Sequence, residues 1–199
     1  MEPQKPSLPR LVVGLGNPGP EYEWTRHSIG MHVVRECAKR LGLVFRSERS
    51  CEAALAKGEK NGDPLFLAVP RTYMNESGRS VLRLAKLLKV DPKDLMVIVD
   101  DVETQWGQVK VAFDGGARGH NGLRSIHSLL GTKEFFQLRI GVGHPGSGAV
   151  AEYVLRRFTA EEMGELPPIM EQAVSQIDSW LDNQQRYEPL RKPLRDEET

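Results

Sequence analysis

Leu11-Val-Val-Gly-Leu-Gly-Asn-Pro-Gly-Pro20 decides how this chain is read. The aliphatic run from Leu11 to Leu15 has the length and composition of a buried strand, and it passes into a turn built on Gly14, Gly16 and Gly19. That glycine spacing after a strand matches a dinucleotide-binding fingerprint. Two features oppose that reading. Pro18 and Pro20 interrupt the turn where the fingerprint starts a helix whose N-terminal amides face a pyrophosphate, and helical periodicity resumes only near Ser28. The acidic residue expected about twenty positions on, at the end of a second strand, is also missing, because the region around Arg35 and Glu36 reads as helix. The glycines instead let the backbone turn sharply and present Asn17 at the carboxyl edge of a sheet, where open α/β folds place ligands; an Asx turn capping the loop before Pro18 is the alternative for Asn17.

Outward from this stretch, Leu65 to Val69, Leu95 to Val99 and Leu138 to Val142 repeat the pattern of a buried strand, and Val109 to Phe113 alternates like a half-exposed one. Helical faces lie between them: Gly30, Val33, Val34, Cys37 and Leu41 recur on one side, as do Val81, Leu84, Ala85 and Leu88. Thr159-Ala-Glu-Glu162 has capping-box form, and Met170, Ala173, Ile177 and Trp180 follow at helical spacing, which predicts a C-terminal helix. The class is α/β: a single-domain, three-layer fold with a twisted mixed sheet flanked by helices. The expected organisation is a flexible N-terminal segment over 1–10, one domain over 11–182 and a polar tail over 183–199.

The 199 residues suffice for one well-buried core. No apolar run is long enough to span a bilayer, and Met1 to Arg10 lacks the layout of a secretory signal. The two cysteines, Cys37 and Cys51, give no disulfide framework and no paired-cysteine zinc motif, so a reducing cytoplasm fits. Twenty-seven basic residues balance twenty-seven acidic ones, which excludes the footprint of a strong nonspecific nucleic-acid binder. Any RNA contact must be local; Arg118, Arg124, Lys133 and Arg139 cluster around a glycine-rich block and its following helix.

Five polar residues, Asn17, His27, Asn75, Asp100 and Asn121, stand at or just past the ends of strands or tight turns. A neutral imidazole at the loop-to-helix position of His27 can accept a proton from water near physiological pH, its ordinary pKa being about 6.5; a surface or N-capping histidine is the alternative. Asp100 closes Met96-Val-Ile-Val-Asp, where a carboxylate bonded to one imidazole nitrogen would fix its tautomer. Asp101 reads as solvated or part of the turn. Asn75 has two readings, a substrate-binding amide or the N-cap of the following helix. Gly115 to Gly122 suits close approach of a phosphate or sugar but lacks the Gly-Lys-Ser/Thr ending of a P-loop. The histidine spacings do not match paired helical metal ligands, and no Gly-x-Ser-x-Gly elbow occurs, so neither a metal site nor a serine hydrolase is expected.

Together, Gly14 to Gly19 with Thr25-Arg-His27, Tyr73-Met-Asn75 and Gly115 to Gly122 resemble the bacterial-type peptidyl-tRNA hydrolases in order and spacing, over about Leu11 to Phe158. The resemblance implies a cofactor-free esterase acting on peptidyl-tRNA, with His27 as base, Asp100 as its partner and Asn17 contacting the substrate near its peptide. It further implies that Asn75 positions the attacking water, that Tyr73 and Met74 shape the site, and that Tyr22 and Asn121 contact tRNA. His120 is expected to be structural, Arg118 and Arg139 are expected phosphate contacts, and a monomer is expected. Val102-Glu-Thr-Gln-Trp-Gly107 departs from the family pattern, with Trp106 read as packing or as a stacking surface for a base. A noncatalytic RNA-binding relative that kept this fold is the rival reading.

Overall fold

The computed structural model describes residues 8–183. Its seven-stranded mixed sheet has the order β2-β3-β4-β1-β5-β7-β6. The parallel centre consists of β1 (Arg10–Gly14), β4 (Asp63–Pro70), β5 (Leu95–Asp101) and β7 (Phe136–Gly141). Antiparallel strands close both sides: β2 (Arg46–Glu48) and β3 (Ala53–Lys60) beside β4, and β6 (Val109–Phe113) beside β7.

Alternation along β1 explains the three layers. Val12 faces a core shared with helices α1 (Ile29–Arg40) and α5 (Ala160–Asp182), while Leu11 and Val13 face the core under α2 (Ser77–Leu88) and α3 (Asn121–Leu130). A short helix, α4 (Val150–Leu155), precedes α5. The capping box is formed in both directions: Thr159 Oγ1 accepts from the Glu162 amide, and Glu162 Oε2 accepts from the Thr159 amide. Pro167 and Pro168 lie inside α5, which nevertheless buries Ala173, Ile177 and Trp180 against the sheet.

The sequence reading missed β2 and β3. Ala53–Lys60 carries Ala, Lys and Glu in place of the β-branched residues that mark strands, and it becomes a strand through eight antiparallel pairs with β4. Arg10, expected in the flexible N-terminal segment, instead starts β1 and is buried, donating to the carbonyls of Trp180 and Asn183. The rest of the predicted tail lies outside the described residues.

Two glycines set the depth at which α1 packs. A Cβ on Gly14 would run into the backbone of Gly30, and a Cβ on Gly30 would run into the carbonyl of Ile98 on β5. The start of α1 therefore rests on the carboxyl ends of β1 and β5, the place where open α/β sheets bind ligands.

Candidate active site

His27 belongs to a 3-10 turn, Arg26–Ser28, immediately before α1. The residue is more buried than a loop position suggests, at 8% exposed, because β5, α1 and α4 pack around the turn. Nδ1 lies 2.8 Å from Asp100 Oδ1. The same oxygen is 3.1 Å from Nε2 of His120, the N-cap of α3.

These contacts fix the protons. Burial alone would raise the Asp100 carboxyl, but the charges and hydrogen bonds of the two imidazoles hold it well below the usual carboxylate range. An ionised carboxylate only accepts, so His27 Nδ1 and His120 Nε2 both carry hydrogen. For His27, burial opposes the charged ring, yet the Asp100 charge and hydrogen bond outweigh it and raise the pKa. For His120, burial prevails over the same partner and the pKa is lowered. His27 is thus the proton acceptor of the pair, with its lone pair on Nε2.

His27, Asp100 and His120 also place three potential ligand atoms within 4.8 Å of one another. The donor set does not suit a metal. His120 Nδ1 accepts the Leu123 amide, so its proton resides on Nε2 and that nitrogen has no lone pair to give.

The dyad lines a cavity of about 420 Å³, together with Arg118, His120, Asn121 and Arg139 and the α4 residues Val150, Ala151 and Val154. Asn17 lines a second cavity, with Phe45, Val69 and Arg71. Its Oδ1 accepts the Met74 amide at 2.8 Å and so holds the Tyr73-Met-Asn75 turn. Met74 and His120 flank Gly122, where an added Cβ would stand 2.6 Å from Met74 Sδ and 3.0 Å from His120 Cε1. Met74 is buried, whereas Tyr73 and Asn75 are exposed. Asn75 is not the cap of α2; that position belongs to Glu76. Tyr22 is half-buried at the end of the 3-10 turn Pro20–Tyr22. Neither tyrosine lines either cavity.

One expectation is corrected. Arg139 is 3% exposed and donates to Asp101, Gln137 and the Gly116 carbonyl, so its guanidinium braces the glycine-rich loop and is not presented to a phosphate. Asp101 is part of the turn, its Oδ1 accepting the Glu103 amide at 2.9 Å, but it is not solvated: it is buried, and Oδ2 pairs with Arg139 at 3.2 Å and with the exposed Arg118 at 3.4 Å. Trp106 resolves as packing, with its ring edge-on to Phe158 and Nε1 donating to Glu165. Sequence reasoning also missed Arg26. This buried side chain grips Glu162 with two 2.6 Å bonds and stacks on Tyr153, tying the turn that carries His27 to α4 and α5.

The peptidyl-tRNA hydrolase family profile matches residues 11–193. The chain belongs to the peptidyl-tRNA hydrolase family. A peptidyl-tRNA hydrolase of Mycobacterium sp. (strain KMS) is 49% identical over 83% of this chain and 86% of its own. The Mycobacterium tuberculosis (strain CDC 1551 / Oshkosh) relative is 48% identical over 83% and 87%. Among solved structures, the peptidyl-tRNA hydrolase of Acinetobacter baumannii superposes with a TM-score of 0.79 at 33% identity, covering 90% of each chain. Family membership agrees with the α/β class. Among the described residues, no helix is long and apolar enough to cross a membrane.

Proposed function

We propose that this family member hydrolyses the ester joining a peptide, or an N-blocked amino acid, to the 3′ ribose of tRNA. His27 Nε2 takes a proton from water as that water attacks the ester carbonyl, and Asp100 holds the ring and stabilises the imidazolium. The proton then passes to the departing ribose oxygen. The ester carbon forms its new bond to the water oxygen and loses its bond to the ribose, so the chemistry closes without a cofactor. The observation that carries this reading is the 2.8 Å contact between His27 Nδ1 and Asp100 Oδ1 beside an open cavity.

Asn75, on a turn held by Asn17, orients the acyl group and the water. Exposed amide and guanidinium groups from Asn121 and Arg118 meet the nucleotide end, and Tyr22 and Tyr73 offer rings to its bases. The reading takes the chain as a monomer. A tRNA substrate places it in the cytoplasm, where Cys37 and Cys51 persist as the thiols they are here.

The test is release of an N-acetylated aminoacyl group from tRNA in the presence of chelator, with the free-amine aminoacyl-tRNA as control. Hydrolysis of the blocked ester in preference to the free one supports the reading. Binding of the RNA without product would replace it with the noncatalytic one.

A further inference from the structure

We propose that His120 is a positioning residue for hydrolysis: it holds the carboxylate of Asp100 against His27 by sharing Oδ1, and the first turn of α3 locks its tautomer. The proposal rests on the esterase reading above for its consequence, but not for its geometry.

Three observations carry it. His120 Nδ1 accepts the Leu123 amide at 3.3 Å, which leaves the proton on Nε2. That Nε2–H points at Asp100 Oδ1, 3.1 Å away, the oxygen that also receives the His27 proton donor at 2.8 Å. Both rings are buried and stand 4.7 Å apart between centroids, each with one nitrogen on the same carboxylate oxygen. A helix cap alone needs only an acceptor at this position, and Ser, Thr, Asn or Asp supplies that better. An imidazole adds a donor on the far side of the ring, aimed at the carboxylate.

The chemical effect follows from competition for one oxygen. Each donor draws on the same negative charge, so the bond from His120 limits how strongly Asp100 stabilises the His27 imidazolium. Other charges around His27 are already engaged. On β5 and β7, Asp101 is paired with Arg139 and Arg118; on α1, His32 bonds the Glu23 carbonyl and Arg35 pairs with Glu23; on α4, Glu152 pairs with Arg156. Glu103 and Arg124 stand exposed at the cavity rim.

Two substitutions separate the donor from the cap. His120→Asn keeps an acceptor for the start of α3 but is too short to reach Asp100, whereas His120→Gln places an amide N–H where Nε2 stands and caps poorly. In His120→Asn, the acid limb of kcat moves upward by about half a pH unit or more, kcat at pH 7 falls about tenfold, and KM stays within about twofold. His120→Gln returns the limb to its wild-type position despite a lower Tm. Following the His27 ring resonances by NMR against pH reads the same shift without turnover, so an inactive wild type would defeat the esterase reading and leave this comparison intact. A His27 titration unchanged in His120→Asn, or losses in both variants that track Tm alone, would overturn the proposal and leave His120 as a helix cap only.

Discussion

His27 and Asp100, 73 residues apart in the chain, meet at 2.8 Å. Their approach depends on glycines that carry no functional group. Gly14 and Gly30 allow α1 to settle on β1 and β5, and the turn bearing His27 therefore lies over the end of the strand that bears Asp100. Raised His27 basicity and a depressed Asp100 carboxyl are two consequences of that contact.

The base works as neutral imidazole, so kcat/KM falls as pH drops through the His27 pKa. Because that pKa is raised, the acid limb lies above the ordinary histidine value of about 6.5. A pH profile of kcat/KM with an N-blocked aminoacyl-tRNA measures it. In Asp100→Asn the opposing effect of burial is no longer outweighed, so the limb moves to lower pH and kcat drops by about 10²- to 10⁴-fold.

The two arginines tied to Asp101 separate by exposure. Arg139→Met leaves a buried carboxylate short of its partner and costs about 3–5 kcal/mol, read by denaturant unfolding. Arg118→Ala changes stability by less than about 1 kcal/mol, since that side chain is 55% exposed. Its expected effect is on RNA: a several-fold higher KM and a salt dependence of binding shallower by about one.

Packing of α1 is tested at Gly30. Gly30→Ala drives a methyl group into the Ile98 carbonyl, and the predicted loss is about 1–3 kcal/mol or more, with kcat falling further than stability because the His27 turn shifts. Thermal unfolding and kcat on the same preparation check both halves.

Glu162 links the capping box of α5 to Arg26. Glu162→Ala strands the buried Arg26 guanidinium as well as removing the cap, so it destabilises by about 3–5 kcal/mol, whereas Thr159→Ala costs about 1 kcal/mol. Paired unfolding curves distinguish them.

Local signals explain what was legible in the sequence. Leu11 to Leu15, Leu95 to Val99 and the Thr159 capping box each declare their structure within a few residues, and β1, β5 and the start of α5 follow them closely. His27 and Asp100 were named through motif resemblance, and the fold brings them into contact. What escaped depends on distant partners. Ala53–Lys60 is a strand because β4 supplies its hydrogen bonds. Arg139 sits in an otherwise apolar run, and its burial makes sense only with Asp101, 38 residues earlier. The bond from the Met74 amide to Asn17 Oδ1, 57 residues back, likewise has no sign in the local sequence.

The most direct test of the central claim is the single-turnover rate of N-acetyl-aminoacyl-tRNA hydrolysis by His27→Ala, with tRNA affinity measured on the same protein. The account predicts a rate reduced by about 10²- to 10⁴-fold with affinity within a few-fold of wild type. A rate within a few-fold of wild type would contradict it and remove His27 as the base.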